Sequence, residues 1–324
     1  MTRLSLIVPC HNEAEAAPLF VAAVTPYASS CCDELEVVFI DDGSTDATLA
    51  VLEALARDDA RIRVVVLSRN FGKEAALTAG LTYASGDIVI PMDCDLQDPP
   101  AVIPLLVAQW RDGALVVQAR RRTRTHDAWL KRTSAHVFYR VMSRLADVPI
   151  PENAGDFRLM DRRVVAALLT FPERNRFMKG LMAACGFRQA EVWYDRAPRA
   201  AGATKFNVWR LWNFALDGIT GFTTLPLRVW SYVGALVALA AVGYAAWTVA
   251  RTLFFGVVLP GYASLLTVVL LLGAAQLIGI GILGEYLARV VKETKRRPLF
   301  LVSHLVGFDA SLRLVEFRAA RRSP

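Results

Sequence analysis

Ile88-Val89-Ile90-Pro91-Met92-Asp93-Cys94-Asp95-Leu96-Gln97-Asp98-Pro99-Pro100 is the stretch on which the reading of this chain turns. It begins as a continuous apolar run of strand length, Ile88–Pro91, and passes at once into carboxylates. The same succession occurs three times before it. Leu4–Val8 leads into Pro9-Cys10-His11-Asn12-Glu13, Val37–Ile40 into Asp41-Asp42-Gly43-Ser44-Thr45-Asp46, and Val64–Leu67 into Ser68-Arg69-Asn70-Phe71-Gly72-Lys73. Helical patterns separate the runs, over Ala14–Val24, Asp46–Arg57 and Phe71–Ala84. Fully apolar strands alternating with helices specify an α/β fold, a mostly parallel sheet with helices on both faces. Ligands of such sheets bind beyond the carboxyl ends of the strands. The four polar clusters would therefore gather into one acidic, hydrogen-bonding site.

Asp93 and Asp95 carry the most chemistry. One residue apart in an extended segment, they point to the same side, and Gln97 continues the row. A hard cation such as Mg²⁺ or Mn²⁺ takes one or two carboxylates and completes its shell with phosphate oxygens. That suits a nucleotide diphosphate, whose departure a metal assists by neutralising developing charge. A bare D-x-D pair also occurs in solvated turns; its place after a fourth apolar strand favours the metal. Asp41 or Asp42 could accept from a pyrimidine N–H or a ribose hydroxyl, whereas Asp46 or Thr45 is expected to cap the following helix. His11 is equally readable as an ordinary loop histidine.

Apolar residues make up 54% of the 324 residues and the mean hydropathy is +0.35, which excludes a disordered chain. Two uncharged stretches account for it: Val229–Ala250 and Tyr262–Gly284, of 22 and 23 residues. Each is long enough to span a bilayer as a helix. The connector Arg251–Gly261 contains Pro260 and Gly261. Arg210 and Arg228 precede the first span, and Arg289, Lys292, Lys295, Arg296 and Arg297 follow the second, so both flanks are expected on the cytoplasmic side. Leu4–Val8 is too short for a signal peptide.

The net charge of +7 is concentrated: residues 287–324 hold nine basic and three acidic side chains. This is a basic tail, suited to anionic lipid, and no nucleic-acid-binding domain. Phe206–Trp230 interleaves Phe206, Trp209, Trp212, Phe214 and Phe222 with Lys205, Arg210 and Asp217, the pattern of an amphipathic helix in the headgroup layer or packed on the domain. The expected organisation is a cytoplasmic domain over 1–205, a juxtamembrane segment over 206–228, a two-helix membrane hairpin over 229–286 and the tail over 287–324. Gly279-Ile280-Gly281-Ile282-Leu283-Gly284 matches a dinucleotide fingerprint, but it lies inside the second span with no strand before it. Ala275 and Gly279 more plainly let helices approach closely. The five cysteines show neither metal nor disulfide spacing and are expected as reduced thiols.

The motif series resembles the family 2 glycosyltransferases of the GT-A fold. It comprises Val8-Pro9, Asn12-Glu13, Ile40–Ser44, Ser68–Gly72 and Met92–Pro100. Ala154-Gly155-Asp156-Phe157-Arg158-Leu159-Met160, Arg174–Gly180 and the paired spans narrow the likeness to polyprenyl-phosphate glycosyltransferases, from about Thr2 to Pro298. The resemblance implies inverting transfer of one sugar, with glucose from UDP-glucose the best guess, to undecaprenyl phosphate at the inner face of the plasma membrane. Galactose, mannose, N-acetylglucosamine and an amino-arabinose derivative stay open. Asp93, Asp95 and Gln97 would hold Mg²⁺ or Mn²⁺ and the donor diphosphate, Asp95 and Asp156 would be catalytic, and Pro9, His11, Glu13, Asp41 and Asp42 would line the nucleoside pocket. Arg199 and Lys205, from Arg199 and Gly202-Ala203-Thr204-Lys205, would contact phosphate. Two departures stand out: His11 occupies a position that is usually Tyr, and Thr204 one that is usually Ser.

A phosphate monoester is largely dianionic at neutral pH, so the acceptor needs no strong base. The difficulty is bringing two anions together. Arg120, Arg122, Lys131 and Arg132 are candidate cations for it, although Arg120–Arg124 also reads as a solvated basic loop. Asp156 would position the acceptor or assist the chemistry. A processive synthase would carry a Q-x-x-R-W motif and more spans; Gln109-Trp110-Arg111 is not that motif. A non-catalytic membrane scaffold, and self-association of the chain, remain compatible with the sequence.

Overall fold

The computed structural model describes residues 1–121, 154–174, 176, 178–195, 225–255 and 261–308. The four runs are strands β1 (Arg3–Cys10), β2 (Glu34–Asp41), β3 (Ile62–Leu67) and β4 (Ile88–Pro91). Helices α1 (Ala16–Ser29), α2 (Thr48–Asp58) and α3 (Lys73–Tyr83) connect them, and a short 3₁₀ turn leads into α4 (Ile103–Arg111). Then follow β5 (Val116–Arg121), β6 (Ala154–Asp161), α5 (Arg162–Thr170), α6 (Met178–Ala184) and β7 (Gln189–Tyr194). The long helices α7 (Leu225–Phe255) and α8 (Tyr262–Thr294) precede a last strand, β8 (Val302–Val306).

The sheet order is β7-β5-β6-β4-β1-β2-β3-β8. β1 pairs in parallel with β2 and β4, β2 with β3, and β5 with β7, whereas β6 runs antiparallel to β4 and β5 and β8 antiparallel to β3. Period-two alternation divides the apolar side chains between two cores. Leu4, Leu6, Val8, Phe39, Val64 and Ile90 face α1, α2 and α4, where Phe20 meets Phe39 edge-on at 6.1 Å. Ile7, Val38, Ile40, Val65 and Val89 face α3, α5 and α6. Both faces of the central strands are thus dry, which is why they carry no alternating polar positions.

Several boundaries differ from expectation, and α8 itself runs to Thr294, into the expected basic tail. α1 continues through Pro26 to Ser29, because Ala28 is fully buried in the first core. α7 extends to Phe255, into the expected connector. Val302–Val306, expected in the basic tail, is instead an edge strand of the sheet. It pairs Val64 with Val306 and Val65 with Leu305, and Leu305 and Phe308 enter the second core.

α7 and α8 are long and apolar enough to cross a membrane, and their large apolar side chains, Leu236, Trp247, Leu265 and Leu277 among them, are exposed. A soluble domain does not leave two such helices uncovered, so the chain is membrane-associated. At Gly279 a β-carbon would come within 2.1 Å of the Trp230 indole nitrogen, so this glycine is where α7 packs on α8. The Gly279–Gly284 motif lies within helix α8 and is therefore a packing feature and no cofactor loop. All five cysteines are free thiols.

Candidate active site

The register of β6 against β4 places the first acidic pair. Ile88 lies opposite Asp161 and Val89 opposite Met160. Continuing that register past the end of β4 brings Asp93 alongside Asp156, across strands that run in opposite directions. Sixty-three residues of chain separate the two carboxylates, yet topology makes them neighbours at the ligand edge.

Between them stands an ammonium. Lys73, the first residue of α3, places Nζ 2.7 Å and 2.9 Å from the two carboxylate oxygens of Asp93 and 2.8 Å from Asp156 Oδ2. Desolvation pulls its pKa down, but the charges of Asp156 and Asp93 outweigh that and hold it above the ordinary lysine range. The loop before it is fixed by Asp42, whose two oxygens accept from the Phe71 and Gly72 amides at 2.7 and 2.9 Å. Gly72 has φ +95°, a conformation that lets the chain turn into α3. Asp41 accepts from the Ser44 amide at 3.2 Å, and both aspartates are buried. Gly43, at φ +64°, brings this loop so close to Arg69 and Asn70 that a β-carbon would lie 2.5 Å from their backbone.

The first loop is bound to the second. His11 Nδ1 lies 2.9 Å from the Asp42 carbonyl oxygen, the Asn12 amide donates to Ser44 Oγ, and the Glu13 amide donates to Thr48 Oγ1. Asn12, at φ 59°, accepts from the Thr45 amide through its side chain. Asp46 accepts from the Thr48 amide at 3.0 Å just ahead of α2, whose N-cap position is Ala47. His11, Asn12 and Glu13 are therefore interlocked with the loop that follows Asp41 and Asp42, while Pro9 lies in β1 opposite Ile40.

Contrary to expectation, the chain does not stay extended past β4: Cys94 and Asp95 form a turn, with Asp93 and Asp95 half-buried and Cys94 buried. Leu96 takes φ 56°, so Gln97 does not continue the row; it is buried, and its amide donates to Asp95 Oδ1 at 3.2 Å. Asp98, also buried, accepts from the Tyr194 hydroxyl of β7 and ties down the far end of the loop.

Arg120 is at the same end of the sheet but is engaged elsewhere: its guanidinium lies 3.2 Å from Glu191 and stacks over Trp193 at 5.6 Å. Arg122, Lys131, Arg132, Arg199 and Lys205 lie outside the described residues. Two site cations escaped the sequence reading. Arg158 of β6 is buried behind Asp156 and donates to the Gly155 carbonyl at 2.7 Å; desolvation lowers its pKa, opposed by Asp156 and Glu74. Lys73 did carry a signal, since a cation at a helix N-terminus opposes the dipole and demands acidic partners.

The donor set suits a hard divalent ion. Among the described residues no group of three His, Cys, Asp or Glu gathers at metal-binding geometry. What the edge offers is Asp93 and Asp95, the one or two carboxylates that a Mg²⁺-type ion takes before phosphate and water complete its shell. The Lys73 ammonium on Asp93 is a stand-in cation at that position.

An acidic ligand edge on a mostly parallel sheet, joined to two membrane-length helices, defines a membrane-associated enzyme class, and comparison with known proteins identifies it. Residues 5–169 match the model for glycosyl transferase family 2, and residues 225–290 match the model described as the GtrB C-terminal hairpin. The chain belongs to glycosyl transferase family 2 and is a glycosyltransferase. It is 48% identical over 303 residues to the prophage bactoprenol glucosyl transferase homolog of Escherichia coli K12, covering 94% of this chain and 99% of that one. It is 50% identical over 300 residues to the SfII prophage-derived bactoprenol glucosyl transferase of Shigella flexneri, covering 93% and 97%. A solved structure, the mannosyltransferase PcManGT from Pyrobaculum calidifontis, is 20% identical with a TM-score of 0.48, covering 90% of this chain and 87% of that one.

Proposed function

We propose that this protein transfers a single glucosyl residue from UDP-glucose to a polyprenyl phosphate at the cytoplasmic face of the membrane, with inversion and with a divalent ion. The observation that carries the reading is the meeting of Asp93 and Asp156 on the Lys73 ammonium, at the ligand edge of a chain that also holds two helices of membrane length. Relatives named bactoprenol glucosyl transferases, near 50% identity and full length, support the sugar and the acceptor.

The reaction is one displacement. An oxygen of the lipid phosphate forms a bond to the anomeric carbon while the bond from that carbon to the donor diphosphate breaks. The acceptor is already anionic, so no proton need be removed first. Asp93 and Asp95 would hold the ion, whose positive charge stabilises the departing diphosphate. Asp156 would orient the acceptor, with Lys73 and Arg158 offsetting its charge beside two phosphates. Pro9, His11, Glu13, Asp41 and Asp42 would form the nucleoside rim, and Arg199 and Lys205 would meet phosphate.

The membrane arrangement follows from how α8 ends. At about 1.5 Å per residue its 33 residues reach about 50 Å, beyond the ~30 Å hydrocarbon layer. Its last turn is held by the catalytic domain: Glu293 accepts from the Arg174 amide at 2.9 and 3.0 Å, and Arg174 donates to the Arg297 carbonyl at 2.8 Å. β8 then rejoins the sheet. The end of α8 on the domain's side supports a hairpin that returns to the face where flanking basic residues favour the cytoplasm. Membranes containing the protein, given a panel of radiolabelled nucleotide sugars and undecaprenyl phosphate, should move label into lipid from UDP-glucose only, and a chelator should abolish it. Label moved from another sugar nucleotide would correct the donor. No label from any would overturn the reading.

A further inference from the structure

Lys73 is placed where the proposed transfer gives it no part in holding nucleotide or metal. Its ammonium covers both oxygens of Asp93 at 2.7 and 2.9 Å while also touching Asp156 at 2.8 Å, so a divalent ion reaching Asp93 meets a cation already there. The backbone beneath it is held, because Asp42 accepts from both preceding amides. The side chain is not: it is 44% exposed, on a stem of four rotatable carbons ending in a point charge rather than a planar fork. Asp156, by contrast, would add a third negative charge beside two phosphates if left uncompensated.

We propose that Lys73 is the resident counter-cation of the site, holding Asp93 and Asp156 together while no divalent ion is bound and yielding Asp93 to that ion while it stays on Asp156. The inference rests on the metal-dependent transfer proposed above. It makes Lys73 a positioning residue and a competitor of the metal: only molecules in which the ammonium has left Asp93 bind the ion at full strength, which lowers apparent affinity by that fraction.

The test is a Mn²⁺ titration of the purified full chain in detergent without nucleotide, with free Mn²⁺ read by electron paramagnetic resonance. Lys73→Met should bind Mn²⁺ about three- to tenfold more tightly than wild type. Arg69→Gln, which removes a nearby charge stacked on Phe71, should stay within about twofold and so exclude a general charge effect. Asp156→Asn should weaken Mn²⁺ binding more in the wild-type background, where the ammonium falls back on Asp93 alone, than in Lys73→Met. Lys73→Gln repeats the measurement should Lys73→Met not fold. Unchanged affinity in the Lys73 variants, or equal effects of Asp156→Asn in both backgrounds, would overturn the proposal while leaving the metal site intact. Mn²⁺ binding to none of the proteins would remove the metal site and this proposal together.

Discussion

Asp42 acts through the backbone. Its two oxygens fix Phe71 and Gly72 and thereby aim Lys73 across the site. Asp42→Ala leaves both amides without that acceptor, and unfolding of the solubilised full chain should show a loss of about 2 kcal/mol; an unchanged denaturation midpoint would deny the loop this anchor. What the sequence made legible at this scale was local. Asp93 and Asp95 follow an apolar run directly, so their place just past a strand end could be read from the sequence, although Cys94 and Asp95 themselves turn. Gln97 does not continue a row with them, because the chain turns at Cys94–Asp95 and Leu96 takes a positive φ, of which a leucine gives no warning. The contact of Lys73 with Asp156 was out of reach because it depends on β6 running antiparallel to β4, which no local pattern reports.

Helix α5 shows charge acting on an element. Asp161 caps it by accepting from the Arg163 amide, and its carboxylate also accepts from the Arg163 side chain and the Trp110 indole. Desolvation pushes its pKa up, but the Arg163 and Trp110 bonds prevail and hold it at about 2. A carboxyl depressed in the folded state stabilises above its unfolded pKa near 4 and loses that contribution as pH falls through 2. Asp161→Asn keeps the cap and removes the charge. Thermal unfolding should place it about 1 kcal/mol below wild type at pH 7, a figure reduced because Arg163 is mostly exposed, with the gap closing between pH 4 and pH 2. A gap constant over that range would exclude the charge as its cause. Among elements, the four early strands and the helices between them were readable from pattern. β8 was hidden, since Val302–Val306 lies within a basic stretch and gains its identity only by pairing with β3.

At the scale of the whole molecule, two exposed apolar helices of membrane length are followed by an edge strand that returns to the sheet. The anchor is apolar area, and salt screens charge but not burial. Membranes washed with molar salt should therefore retain the protein, and detergent should release it; release by salt alone would mean that the helices do not span. In the proposed reaction, carboxylates at the ligand edge drive sugar transfer to a lipid phosphate. The most direct measurement compares wild type with Asp95→Ala, equally folded by thermal unfolding, for label passing from UDP-glucose into undecaprenyl phosphate. The account predicts that the variant's rate falls by at least about a hundredfold, the scale of several kcal/mol of charge stabilisation. A variant that transfers glucose at close to the wild-type rate would contradict it.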